Sequence, residues 1–143
     1  MRKILAVLTV ALTLGTAFAM TRPAELNGTI NAPKPYGTAS LTWLFLTAYD
    51  ASLWTDAQEW SMNEPFALTL VYRMSFTTDE IVERTIEEMK IVAPTLSKLT
   101  LERHAKILAR VFPSVKSGDR ITALHTPGKP VRFYHNGTAT GAS

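Results

Sequence analysis

A chain of 143 residues, 46% of them apolar, holds enough material for one domain around one core. Its formal charge of +3 falls to +1 when Arg2 and Lys3 are set aside with a leader, leaving thirteen basic against twelve acidic residues. The basic residues are scattered among acids with no aromatic-flanked stripe, which excludes a nucleic-acid-binding reading. The absence of cysteine excludes a disulfide framework and thiol chemistry.

Arg2-Lys3 is a positive n-region, Ile4 to Leu14 is an apolar run, and Ala17-Phe18-Ala19 fits a small-x-small cleavage site. A membrane-spanning helix needs about 20 apolar residues, so this run is too short for one. Residues 1–19 are therefore expected to be a signal peptide. The mature chain is expected in the periplasm or secreted, with no stable membrane insertion after cleavage.

Residues 20–37 contain Pro23, Pro33, Pro35, Gly28 and Gly37 and read as an extended lead-in with a short edge strand at Leu26 to Ile30. The domain itself is expected over 38–143. Ser40 to Asp50 predicts one central strand, with Leu41, Trp43, Phe45, Thr47 and Tyr49 on one face and apolar residues on the other. Trp54 to Glu64 is polar and predicts a loop. Phe66 to Met74 alternates cleanly: Phe66, Leu68, Leu70 and Tyr72 face one way, Ala67, Thr69, Val71 and Arg73 the other.

Thr77 followed by Glu80 forms a capping box, opening a helix whose apolar face carries Ile81, Val82, Ile86 and Met89. Pro94 ends it. Ser97 caps a second helix with Leu101, His104, Leu108 and Val111/Phe112 at helical spacing. Arg120 to His125 and Val131 to His135 predict strands, and Asn136-Gly137 is a strong hairpin-turn signal. Two helices set between strand pairs predict an α+β fold, an antiparallel sheet backed by helices.

Five segments in order carry a family resemblance: Y-D-A-S-L-W (Tyr49 to Trp54), E-P-F-A-L-T-L-V-Y (Glu64 to Tyr72), E-E-M (Glu87 to Met89), V-F-P-S-V-K-S-G-D-R-I (Val111 to Ile121) and R-F-Y-H-N-G (Arg132 to Gly137). Together they resemble bacterial chalcone isomerase-like proteins, exported relatives of the plant flavonoid enzyme. The resemblance implies an open-faced β-sandwich of the chalcone isomerase type with a ligand cleft between sheet and helices. It also implies a further strand and helices after the Asn-Gly turn, so the C-terminal part of the domain is expected to be missing.

The family enzyme is an intramolecular lyase needing neither metal nor redox cofactor. A cation holds a phenolate, and hydroxyl donors stabilise the developing enolate. Its site residues do not transfer. The arginine region, Ala32 to Leu41, offers only Lys34; the strand threonine falls near Leu44, with Thr42 and Thr47 beside it. The tyrosine position corresponds to about Ile81 and the asparagine to about Glu88, and the last hydroxyl falls beyond Ser143. The expected function is accordingly a non-catalytic domain that binds a small apolar molecule, a fatty acid or an aromatic. Trp43, Phe45, Phe66, Leu68, Leu70 and Tyr72 are the expected ligand-binding residues.

The alternatives are an isomerase with a rearranged site using Lys34, Thr47, Tyr49 or Tyr72, and an interaction protein forming homo-oligomers through an exposed sheet edge. His104, His125 and His135 lack metal-ligand spacing, and no metal or other cofactor is expected. Asp50 is expected to cap a strand end by accepting backbone N–H bonds, and Asp119 to pair with Arg120 or Arg132.

Overall fold

The computed structural model describes residues 21–143; the predicted leader lies outside the described residues. The chain forms a short 3-10 turn (Ala24–Leu26), strands β1 (Lys34–Trp43), β2 (Leu46–Thr55) and β3 (Phe66–Tyr72), and helices α1 (Thr78–Val92) and α2 (Lys98–Val111). Strands β4 (Arg120–His125), β5 (Arg132–His135) and β6 (Thr138–Ala142) follow. The strands make one antiparallel sheet in the order β1-β2-β3-β4-β5-β6. The fold is α+β, a six-stranded antiparallel sheet with two helices inserted between β3 and β4.

Both helix starts follow their predicted caps. The Thr77 hydroxyl accepts from the Glu80 N–H while the Glu80 carboxylate accepts from the Thr77 N–H, completing the box. Ser97 accepts from the Thr100 N–H. On one sheet face, Tyr72 and Ile121 are buried with Ile81 of α1, and Phe133 is buried with Leu108 and Val111 of α2, joined by Val82 and Ile86.

The other face is covered by the N-terminal segment. Leu26 and Ile30 are buried against Trp54, Ala67 and Leu124. Their backbone is a 3-10 turn followed by tight turns, with Ile30 N–H donating to the Leu26 carbonyl at 3.0 Å. The edge strand expected at Leu26 to Ile30 is thus corrected to a compact strap. Pro23 and Gly28 (φ 82) favour turning over pairing.

Ser40 to Asp50 is corrected from one strand to a hairpin. Trp43 pairs with Leu46 across a two-residue turn of Leu44 (φ 46) and Phe45 (φ 70). Two-residue hairpin turns of this hand call for Asn-Gly or a similar pair, so a Leu-Phe turn carries no local signal. Trp54, expected in a loop, is instead a buried residue of β2, and its indole N–H donates to Thr69 Oγ1 at 3.0 Å. At the other end the Asn136-Gly137 turn forms as predicted, and β6 follows it.

Candidate functional site

Register decides which side chains can meet. Leu53, Leu68, Ala123 and Phe133 are cross-strand partners and therefore share the helix-facing side, as do Phe66 and His125 two pairs along. The expected ligand set divides along this side. Tyr72 is buried and Leu70 packs beside it within the cluster that includes Ile81. Leu68, in the middle of the sheet, is 40% exposed. The helical cover stops between them.

Beyond that boundary lies an apolar surface of Leu53, Leu68, Phe66 and Trp60. Phe66 meets Trp60 edge-on at 5.5 Å between ring centroids and His125 at 4.7 Å. The loop that brings Trp60 there is held by its own polar groups. The Ala57 N–H donates to Thr55 Oγ1, Thr55 Oγ1 donates to the Pro65 carbonyl, and the Asn63 N–H donates to Ser61 Oγ. His125 Nε2 lies 2.9 Å from the Met62 carbonyl oxygen, pinning the loop to β4. Trp60 and His125, which belong to this surface, were missing from the sequence-based set. A tryptophan in a polar loop beside a strand-opening Pro-Phe is the signal that could have found the first.

Phe45, by contrast, is at the hairpin tip, away from this surface; the Trp43 side chain lies outside those the structure describes. Among the described residues, two open grooves, of ≈ 390 Å³ around Val82, Ile86 and Ala105 and ≈ 300 Å³ around Lys129 and Arg132, hold none of the expected ligand residues.

The four catalytic candidates do not converge on one site. Lys34 pairs with Thr55 at one end of the β1–β2 hairpin and Thr47 pairs with Thr42 near the other. Eight residues at about 3.3 Å each place some 26 Å between them along the strand. Tyr49 and Tyr72 do meet, as cross-strand partners with rings 5.8 Å apart. Burial pushes both phenols up, and at Tyr72 the neighbouring Tyr49 adds to it, so both stay protonated and neither supplies a phenolate base. The cation close enough for its charge to act on Tyr49 is Arg84, already engaged by Glu87 and Glu88.

The remaining polar residues serve structure. Asp50 accepts from Arg73 Nε at 2.7 Å and Ser40 Oγ at 2.6 Å, side-chain donors in place of the backbone N–H groups expected. Asp119 pairs with neither Arg120 nor Arg132. It accepts from the Lys116 N–H at 3.0 Å and Asn136 Nδ2 at 3.1 Å, with His135 Nε2 at 3.3 Å. These bonds, the Lys116 N–H foremost, hold its carboxyl down at about 2. Arg120 is taken instead by Glu25 of the strap, whose carboxylate also accepts from Thr122 Oγ1 at 2.6 Å. Burial alone would raise the Glu25 pKa; the Thr122 and Arg120 hydrogen bonds and the Arg120 charge outweigh it and leave it lowered. Among the described residues, no group of three or more His, Asp or Glu side chains could hold a metal.

No protein-family model, no curated protein and no solved structure matches the chain. Among the described residues no helix is long and apolar enough to cross a membrane.

Proposed function

We propose that the chain is an exported, non-catalytic domain of the chalcone isomerase-like type, and that it binds a small apolar molecule on the uncovered part of its helix-facing sheet. The observation that carries this reading is Leu68: a mid-sheet leucine, flanked by Leu53 and Ala123, left 40% exposed beside the Trp60–Phe66 pair. A fatty acyl chain or an aromatic ring laid over these side chains takes apolar surface from water at roughly 25 cal/mol per Å². Support for the family comes from the element order and the five quoted segments, which fall on β2, β3, α1, the α2–β4 connection and β5 with its following turn. Support for a non-catalytic role comes from the separation of Lys34 from the tyrosines and the engagement of Arg84 by two glutamates.

The test is a thermal-shift and native mass-spectrometry screen against fatty acids and flavonoids. At least one class is retained by the wild type, and Leu68→Ser weakens it tenfold or more. Retention of nothing ends the ligand reading.

A second reading, an isomerase with a rearranged site, is favoured by one juxtaposition, the Tyr49 ring against Tyr72 with the Arg84 charge acting on the Tyr49 phenol. Cyclisation of naringenin chalcone above its spontaneous rate, lost in Tyr49→Phe, would establish it. An unaccelerated reaction closes it.

A further inference from the structure

The β1–β2 and β5–β6 hairpins make the same kind of turn from opposite materials. Asn136 (φ 48) and Gly137 (φ 85) supply the residues that tolerate left-handed backbone. Leu44 (φ 46) and Phe45 (φ 70) do not, because a Cβ in that region crowds the following carbonyl oxygen. Strain of this kind persists where a side chain is needed in place.

The side chains held there point into solvent: Phe45 is 99% exposed, Leu44 70% and Leu46 58%. They also project beyond the end of β3. The last β2–β3 partners are Tyr49 and Tyr72, with one further bond from the Arg73 N–H to the Ala48 carbonyl. Three residues beyond Ala48, at about 3.3 Å each, carry the hairpin tip some 10 Å past its last bond to the β3 end. No charged residue occurs between Lys34 and Asp50.

We infer that this tip is an interfacial membrane anchor, inserting Leu44, Phe45 and Leu46 at the headgroup–acyl boundary of a lipid bilayer. Three observations select lipid over a protein partner. The surface is convex and small: one aromatic of roughly 150–250 Å² and two partly covered leucines fall well short of the ~800 Å² per partner of a stable protein interface. Its reach of ~10 Å matches the 5–10 Å depth at which apolar side chains lie in a bilayer interface. Its uncharged flanks fit lipid tails and offer an acidic or basic partner nothing to pair with. The contact lies on the membrane without crossing it, and it is separate from the Leu68 surface.

The chain has no cysteine, so Phe45→Cys accepts a single environment-sensitive fluorophore. With phosphatidylcholine vesicles carrying nitroxide-labelled acyl chains, the probe at 45 should shift to the blue and be quenched at least threefold. A probe at Ser117→Cys should stay aqueous. Replacing the turn by the favoured pair, Leu44→Asn with Phe45→Gly, should cut vesicle partitioning tenfold or more while raising the melting temperature, so that a loss of binding cannot be assigned to misfolding. Half-molar salt should change wild-type partitioning less than twofold.

An unquenched probe at 45, equal partitioning of the double variant, or a wild-type dimer that this variant dissolves would each overturn the anchor. Leu68→Ser should leave partitioning unchanged, so failure here is distinguishable from failure of the apolar-ligand reading.

Discussion

Gly141 shows how a single hydrogen in place of a methyl group sets the distance between two elements. A Cβ built there would lie 2.8 Å from Val111 Cγ1 of α2, and the backbone φ of +149 is one that L side chains rarely adopt. Gly141→Ala should therefore lower unfolding stability by about 1–3 kcal/mol in urea titrations, the usual range for overpacking. Asp119 makes a second residue-scale prediction. Its folded carboxyl titrates at about 2, below its ordinary 3.8, so its contribution is fully present above the ordinary value and disappears as pH falls through about 2. The urea midpoint should fall between about pH 4 and pH 2, and less steeply in Asp119→Asn. Identical slopes would show that the lowered carboxyl is uncoupled from folding.

At the scale of elements, the strap is held to the sheet by one charge pair and two apolar plugs. The Glu25 side chain is 1% exposed and bonded to Arg120 and Thr122, while Leu26 at the end of the 3-10 turn and Ile30 four residues on are fully buried. Glu25→Gln leaves the Arg120 guanidinium without its carboxylate and should cost about 2–4 kcal/mol. Freed from the sheet, the strap should uncover Trp54, shifting tryptophan emission to the red before the helical circular dichroism is lost. Coincident loss of both signals would instead mean that the strap and the helical layer unfold together. The helices need no such clamp. Each is started by its own hydroxyl cap and buries an apolar stripe legible at 3.6-residue spacing.

At the scale of the whole molecule, the sheet is shielded unevenly. The strap covers the side of Trp54, Ala67 and Leu124, the helices cover Tyr72, Ile121 and Phe133, and Leu68 is left on the helical side without them. The ligand-binding and Leu68→Ser predictions belong here, because the exposure of Leu68 follows from where two helices end over six strands and from no property of β3 alone. Two of the six residues in the apolar set expected from sequence, Leu70 and Tyr72, are core for the same reason.

Local chemistry by itself determined the two helices, their caps, the alternating face of β3 and the Asn-Gly turn, because each rests on interactions within a few residues. The hairpin at Leu44-Phe45 was not legible: its turn residues are poor ones, and its strands form because Leu41, Thr42 and Trp43 find partners in Tyr49, Thr47 and Leu46. The pairing of Glu25 with Arg120 joins residues 95 apart in sequence, and the contacts of Phe66 with Trp60 and His125 depend on a loop pinned to a distant strand. Only the tertiary structure could decide these, since burial and partnership between distant segments are set by sheet register and layer packing, for which the sequence has no local code.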